Sequence, residues 1–434
     1  MAHSYDAVVV GGGFSGLYAA ALLSSKGQRV CVLEAAPHLG GRAFSYRDPK
    51  TGDEVDNGQH ALLGAYAATK RFLTLLGTLS QVRFQQRLSL PFRTPVATLH
   101  LETPNLPAPL HLLFGLLTFG GLSVGERLLA IRFGAALFFG RKPGASETLQ
   151  EWLTRAGQLG APSERLWTPL AIAALNESPE RASAMLFAEV LRRAFLSKAS
   201  DSVIGLSSVP LSELYVRPAE SFLTSRDGAV RLRSRAVALV RRSGRVVDVK
   251  INDGNTLHAG AVVLAVPPPA AGKLLLSAGL SAPWVGTMVE RGSPILSVHL
   301  WYDRPVIEDR APITGLWGSL IQWVFDRGHL SLVVSDSRAF ALKTRAEAVQ
   351  IASSEIARFF PLARTAKLLS AAVRKEPSAT FAGSPEAQAH RPGPKTPVAN
   401  VVLAGDWTNT GLPGTIEGAC LSAEAAVAAL PPVG

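Results

Sequence analysis

Cysteine is almost missing from this 434-residue chain. Cys31 and Cys420 are the only two, far apart and in no ligand-like spacing, which excludes a disulfide framework and a zinc site. Charge is scarce as well: Asp, Glu, Lys and Arg make up 18% of residues against 47% apolar, so the chain is not a disordered one and can bury a large core. Acidic residues are the scarcer sign, and 44 Lys plus Arg minus 33 Asp plus Glu leaves a formal charge of +11. A nucleophile elbow, a P-loop and an HExxH motif are all missing, which leaves hydrolase and NTPase readings without support. There is no internal repeat, heptad run or low-complexity tract. The N-terminal MAHSYDAVVVGGG has no basic region ahead of its short apolar run, so the expectation is a strand rather than a signal peptide, and a cytosolic protein. Positive charge combined with apolarity leaves two kinds of partner to weigh, a nucleic acid or an anionic membrane surface.

What is present begins with order. Residues 5–10, 11–16, 17–26 and 29–33 read strand, glycine turn, helix and strand, one βαβ unit of a parallel sheet. A fully apolar strand is expected at 261–266, stopped by Pro267, Pro268 and Pro269, another at 401–404, and an alanine-rich helix at 418–430. The expected class is α/β, with the sheet domain assembled from the discontinuous segments 1–80, 200–269 and 386–434. A second, mixed domain would come from 81–199 and 270–385. Proline clusters at 104–109 and 392–397 are the expected crossings. The most apolar segment, 110–139, has its longest uncharged piece at 112–125, too short for the roughly 20 residues of a spanning helix. With Arg127, Arg132 and Arg141 punctuating it, the stretch 110–141 reads either as core helices or as a pair lying in a membrane interface.

Gly11, Gly13 and Gly16 form GxGxxG between the first strand and helix, enclosing Phe14 and Ser15. Gly11 would permit the tight turn, Gly13 would let backbone approach a pyrophosphate, and Gly16 would let the helix pack on the strand. The helix-start amides would then face the phosphate oxygens. Glu34, followed by Ala35, ends the second strand 18 residues after Gly16. Its carboxylate suits ribose hydroxyls and would repel a 2′-phosphate.

The run EAAPHLGGR, with Gly40, Gly41 and Arg42, resembles the flavoprotein pattern in which a GGR turn follows the ribose-binding acid and the arginine contacts phosphates. The C-terminal AGDWTNTGLPGTIEGA resembles the closing motif of the FAD-dependent amine oxidase and phytoene desaturase superfamily. That resemblance implies FAD, bound by a Rossmann-like, glutathione-reductase type domain carrying an inserted mixed α+β substrate domain. It gives Gly405 and Asp406 to the ribityl and phosphate part. Thr415 opens a helix whose Ile416 amide would face the flavin pyrimidine edge. Val237 matches a position whose backbone meets adenine. VDNGQHALLGAY, which contains Gly58, LWTPLAIAALNESPERASA, SVHLWYDRPV, QWVFDR and KEPSATFAGSP look like the squalene-associated FAD-dependent desaturase group, which includes the hydroxysqualene dehydroxylases. The resemblance implies a reductive reaction in which hydroxysqualene loses its hydroxyl and receives a hydride.

Such chemistry needs a proton donor to the leaving hydroxyl and a hydride for the resulting cation. His60, in a family-like motif, is the first candidate polar group, with Asp56 behind it. Asn176 and Trp167 are candidates for shaping the substrate site, and Glu417 is either a buried acid or a partner of helix-start amides. No metal cluster is evident. An electron donor is required to reduce the flavin, and no segment names one. An isoprenoid substrate would explain the apolarity, and +11 would favour an anionic leaflet, placing the protein at the inner face of the cell membrane. The arginine run 231–245 lacks interleaved aromatics and reads as alternation on an exposed strand face rather than as a nucleic-acid site. The rival readings are an oxidative carotenoid desaturase or amine oxidase, and a non-catalytic prenyl-binding escort.

Overall fold

Strands buried on both faces need apolar side chains at every position, not alternate ones, and AVVV, VCVL and AVVL supply them. In the computed structural model, which describes residues 3–289, 292–308 and 311–431, these runs form the centre of a seven-stranded sheet. His3–Val10 pairs in parallel with Val30–Leu33 on one side and with Thr256–Leu264 on the other. Ala229–Arg231 extends it beyond Val30–Leu33, and Val401–Leu403 lies parallel to the end of Thr256–Leu264. An antiparallel hairpin, Ala236–Arg242 with Arg245–Ile251, completes it. Helix Phe14–Ser25 makes the first crossover, and the C-terminal helix Ile416–Ala429 packs beside it through buried Ala419, Ala423 and Ala426. Small residues let these helices lie close.

A second seven-stranded sheet runs in the order Leu368–Phe381, Gly292–Tyr302, Leu330–Ser335, Trp323–Asp326, Ile313–Leu316, Ser89–Arg93, Thr98–Glu102. All its pairs are antiparallel except Ile313–Leu316 with Ser89–Arg93. Helix Arg345–Phe359 covers one face through Ala348, Ala352 and Ile356. Helices Leu149–Arg155, Thr168–Leu175 and Ala184–Phe195 join the apolar core on the side of the other face.

Two expectations need correction. The arginine run does not alternate along one strand: Arg231 ends a strand, Arg233 turns with φ +54°, and the next strand starts at Ala236. Positive φ at a non-glycine residue breaks the pleat. The cluster 104–109 joins Thr98–Glu102 to helix Leu110–Thr118 and so does not cross between the two large sheets. Segment 110–139 folds as two helices, Leu110–Thr118 and Val124–Phe138, the second started by a Ser123–Glu126 capping box. Among the described residues no helix is long and apolar enough to cross a membrane.

Candidate cofactor and substrate cavity

A cavity of about 1020 Å³ takes its walls from both large sheets. At one end its lining is mainly backbone. Gly11 has φ +109°, and a Cβ there would fall 2.2 Å from the Ala265 carbonyl oxygen. At Gly16 it would fall 1.9 Å from the Gly11 carbonyl oxygen, so the helix can reach the strand only without a side chain. Gly13 is the N-cap of helix Phe14–Ser25 and no side chain caps it, leaving the first amides open toward the cavity that Gly13, Phe14 and Ser15 line. The GGR turn docks on the glycine turn by the Gly40 amide donating to the Gly12 carbonyl at 2.8 Å. A Cβ on Gly41 would meet the Gly13 Cα at 3.1 Å.

Around this cradle stand the charges. Glu34 accepts from the Gly12 and Ala36 amides, each at 2.8 Å, which fixes its carboxylate at the cavity wall beside Ala35. Arg42 donates to Asp406 Oδ1 at 2.6 Å and to the Ala379 carbonyl at 2.8 Å, and Asp406 holds its guanidinium pKa above the ordinary value. Gly405, φ +146°, presents its amide to Ser422 Oγ at 2.9 Å. Val237 sits where the hairpin register shifts between Ala236 and Ala238. It lines the cavity as the extra residue of a bulge, with its backbone out of step with the ladder.

Thr415 caps helix Ile416–Ala429 by accepting from the Gly418 amide at 3.0 Å, so Ile416 stands first in the helix at the cavity wall. Glu417 follows it, 3% exposed. Its carboxylate accepts from the Ala68 amide, the Thr69 amide and Thr69 Oγ1 at 2.8–2.9 Å, capping a different helix, Ala67–Leu75. A carboxylate on a helix start is favourable for charge as well as for hydrogen bonding.

An open, uncapped helix start behind glycines that admit no Cβ, a fixed acid and an arginine make a fitting bed for a dinucleotide. Over residues 14–431 the chain matches the family described as flavin containing amine oxidoreductase. The chain belongs to this family. It is an oxidoreductase, and its cofactor is FAD. Among curated relatives it is similar to hydroxysqualene dehydroxylases from Rhodopseudomonas palustris, at 32% identity, and Sinorhizobium fredii, at 31%; each comparison covers 95% of both chains. Among solved structures it resembles an oxidoreductase from Methanosarcina mazei, with a TM-score of 0.73, 16% identity and coverage of 96% of this chain and 98% of that one.

Within this flavin-dependent oxidoreductase the expected polar residues separate. His60 lines the cavity beside Gly58, with Nδ1 2.8 Å from the Gly58 carbonyl. A carbonyl only accepts, so Nδ1 carries the proton and Nε2 is the acceptor. Burial holds the His60 pKa below its ordinary value, against a smaller pull from Asp56. Asp56 stands behind His60 as an electrostatic neighbour, and its carboxylate accepts from Ser45 Oγ and the Leu211 amide at 2.7 and 2.9 Å. Asn176 lines the cavity as well. It closes helix Thr168–Leu175 in the left-handed conformation. Its amide donates to the Ser293 carbonyl and Thr380 Oγ1 and accepts from the Asp336 amide, so its polar atoms are already engaged. Trp167 belongs to the core, packed on Phe133 and donating to Gln158 Oε1.

Sequence reasoning missed Arg391. Only 6% exposed, it donates to the Asp406, Trp407, Thr408 and Leu412 carbonyls, so one guanidinium fork fixes the whole GDWTNTG loop. Burial lowers its pKa to about 10. The far end of the cavity has an apolar wall of Leu88, Leu90, Phe187, Leu191, Phe325 and Val333.

Proposed function

We propose that the protein removes the hydroxyl of hydroxysqualene, forming squalene. The observation that supports this most is one continuous cavity with a dinucleotide bed at one end and an apolar wall at the other, in a chain similar along its length to two hydroxysqualene dehydroxylases. Bound in its reduced form, FAD supplies a hydride. The chain's own residues then do four things. Glu34, Arg42 and the glycine turn hold the dinucleotide, and the Leu88, Leu90 and Phe187 wall orients the chain of the substrate while excluding water. His60 Nε2, an acceptor, takes a hydrogen bond from the substrate hydroxyl and positions it. The helix start at Ile416 presents its positive end to the cofactor.

A thirty-carbon isoprenoid costs on the order of 20 kcal/mol to hold in water at about 0.8 kcal/mol per CH₂, so it should enter from a bilayer. Leu110, Phe114 and Leu117 stand exposed at i, i+4 and i+7 on one helix, and Val124, Leu128, Phe138 and Phe139 on the next. On the first helix, Leu112 and Leu116 pack into the core that contains the cavity residues Leu88 and Leu90. We infer that this face docks peripherally on the inner leaflet of the cell membrane, with exposed Arg132 and Arg141 toward headgroups. The deciding experiment is anaerobic: chemically reduced enzyme mixed with hydroxysqualene should regain oxidised flavin absorbance as squalene appears. Reoxidation without squalene, or no reoxidation, would rule the reaction out.

A further inference from the structure

Beside the cavity, the second sheet buries a polar cluster that the reading above does not use. Along Gly292–Tyr302, Ile295 and Ser297 line the cavity, and His299 and Trp301 continue the same row of alternate residues. His299 is fully buried and pairs in register with Ser331, itself 1% exposed. His299 Nδ1 lies 2.9 Å from Ser331 Oγ, Ser331 Oγ lies 3.1 Å from His329 Nε2, and the two imidazole nitrogens are 3.3 Å apart. His329 is partly exposed. Its ring stacks on Trp301 at 4.7 Å, and Trp301 is fixed by donating to Asp53 Oδ2 at 2.7 Å. His299 Nε2 is buried, and the ring lies against the Asp56 backbone, next to Asn57 and Gly58 on the cavity wall. A Cβ on Gly58 would meet Ser297 Oγ at 3.1 Å, so strand and loop touch there.

We propose that His329, Ser331 and His299 form a proton relay from solvent to the cavity wall at Ser297 and Gly58. Solvent protonates His329 at Nδ1 while its Nε2–H passes to Ser331 Oγ. The Ser331 hydroxyl proton passes to His299 Nδ1, and the Nε2–H of His299 passes to a water in the cavity beside Gly58, which gives up one of its own protons to the site. Each N–H or O–H bond formed is matched by one broken, and no electrons move. The need rests on the function proposed above: alcohol plus hydride plus proton gives hydrocarbon plus water, and two-electron reduction of a flavin consumes protons. His60, with its accepting nitrogen toward the cavity, does not supply them at rest. The surroundings keep the relay neutral and therefore conducting. Burial holds His299 down at about 3 and His329 below its ordinary value. The charged groups facing the pair are Asp48, Asp53, Asp56 and Asp326, which favour protonation, and Arg327 and Arg374, which oppose it.

The test uses the FAD-loaded protein unaltered and as His299→Gln, His329→Gln and His329→Gly. Flavin is reduced by a light flash with deazaflavin and a sacrificial amine, and proton uptake is followed with a pH-indicator dye. In every variant flavin content and electron arrival should be unchanged while proton uptake slows at least about fivefold, and imidazole should restore the rate in His329→Gly. Unchanged uptake overturns the relay, and so does a slowing that imidazole does not relieve, which would mark damaged packing. If His299→Gln fails to fold, the partly exposed His329 still decides. The readout needs no isoprenoid: slow uptake in variants of a protein that leaves hydroxysqualene intact would end the proposed reaction and keep the relay. Squalene formation with unaltered uptake would do the reverse.

Discussion

The two ends of the cavity are built by opposite means. At the dinucleotide end, backbone atoms do most of the work and the side chains that matter are often the ones left out, as at Gly11, Gly13 and Gly16. At the other end, side chains from strands of the second sheet make a wall that is largely apolar. The first end tolerates no added atom at Gly11 or Gly16; the second can be altered one side chain at a time. Packing explains the contrast, because backbone held by a sheet cannot yield whereas a side chain can change rotamer.

Gly16→Ala should break the comparison most severely. Its Cβ would collide with a backbone oxygen fixed in a parallel strand, and we expect loss of more than about 3 kcal/mol of stability and failure to retain flavin, read by denaturant unfolding and visible absorbance. Glu417→Ala should follow at about 3 kcal/mol, because two amides and a hydroxyl at Ala68 and Thr69 lose their buried acceptor. The side-chain wall should respond in a graded way. With a folded pKa of about 3 against an ordinary value near 6.5, His299 stays neutral in the fold, so its contribution is fully present above the unfolded value and falls as pH drops toward the folded one. Urea unfolding at pH 7 and pH 5 should show the unaltered protein losing about 2 kcal/mol more than His299→Leu. Arg42→Ala should weaken FAD binding by about tenfold while leaving the fold intact, and Arg42→Lys should restore only part of it, since one ammonium does not reproduce a planar fork. The smallest effect on stability belongs to Phe139→Ser, 83% exposed in the unaltered protein. Unfolding should shift by less than about 0.5 kcal/mol, while flotation with anionic vesicles should fall; unchanged flotation would remove this face from the membrane proposal.

Much of the dinucleotide end was legible because its chemistry is local. GxGxxG, the acid that follows and the GGR turn all lie within 42 residues, and each glycine's role depends on neighbours the sequence keeps close. Glu417 was legible only as one of two alternatives, since the helix it caps lies 349 residues away. Arg391 left no signal, because its partners are carbonyl oxygens that every residue possesses. Asp56 and Asn176 were singled out by residue type, and the fold adds what the sequence could not: Asp56 accepts from the Leu211 amide behind His60, and Asn176 closes a helix at the cavity wall. The relay was hidden for a related reason: His299, Ser331 and His329 become a cluster only when two strands pair in one register.

The sequence by itself determined the parallel core strands and the glycine turn between strand and helix, because steric exclusion at a turn and continuous burial of a strand act over a few residues, and its GGR and closing motifs carried the flavin class by resemblance. Only the tertiary structure decided which carboxylates cap and which face the cavity, that one arginine fixes the closing loop, that an apolar wall meets the cofactor bed, and that two imidazoles come together behind it. Those depend on segments hundreds of residues apart arriving at one place, where burial and hydrogen-bond geometry, rather than residue type, set what each group does.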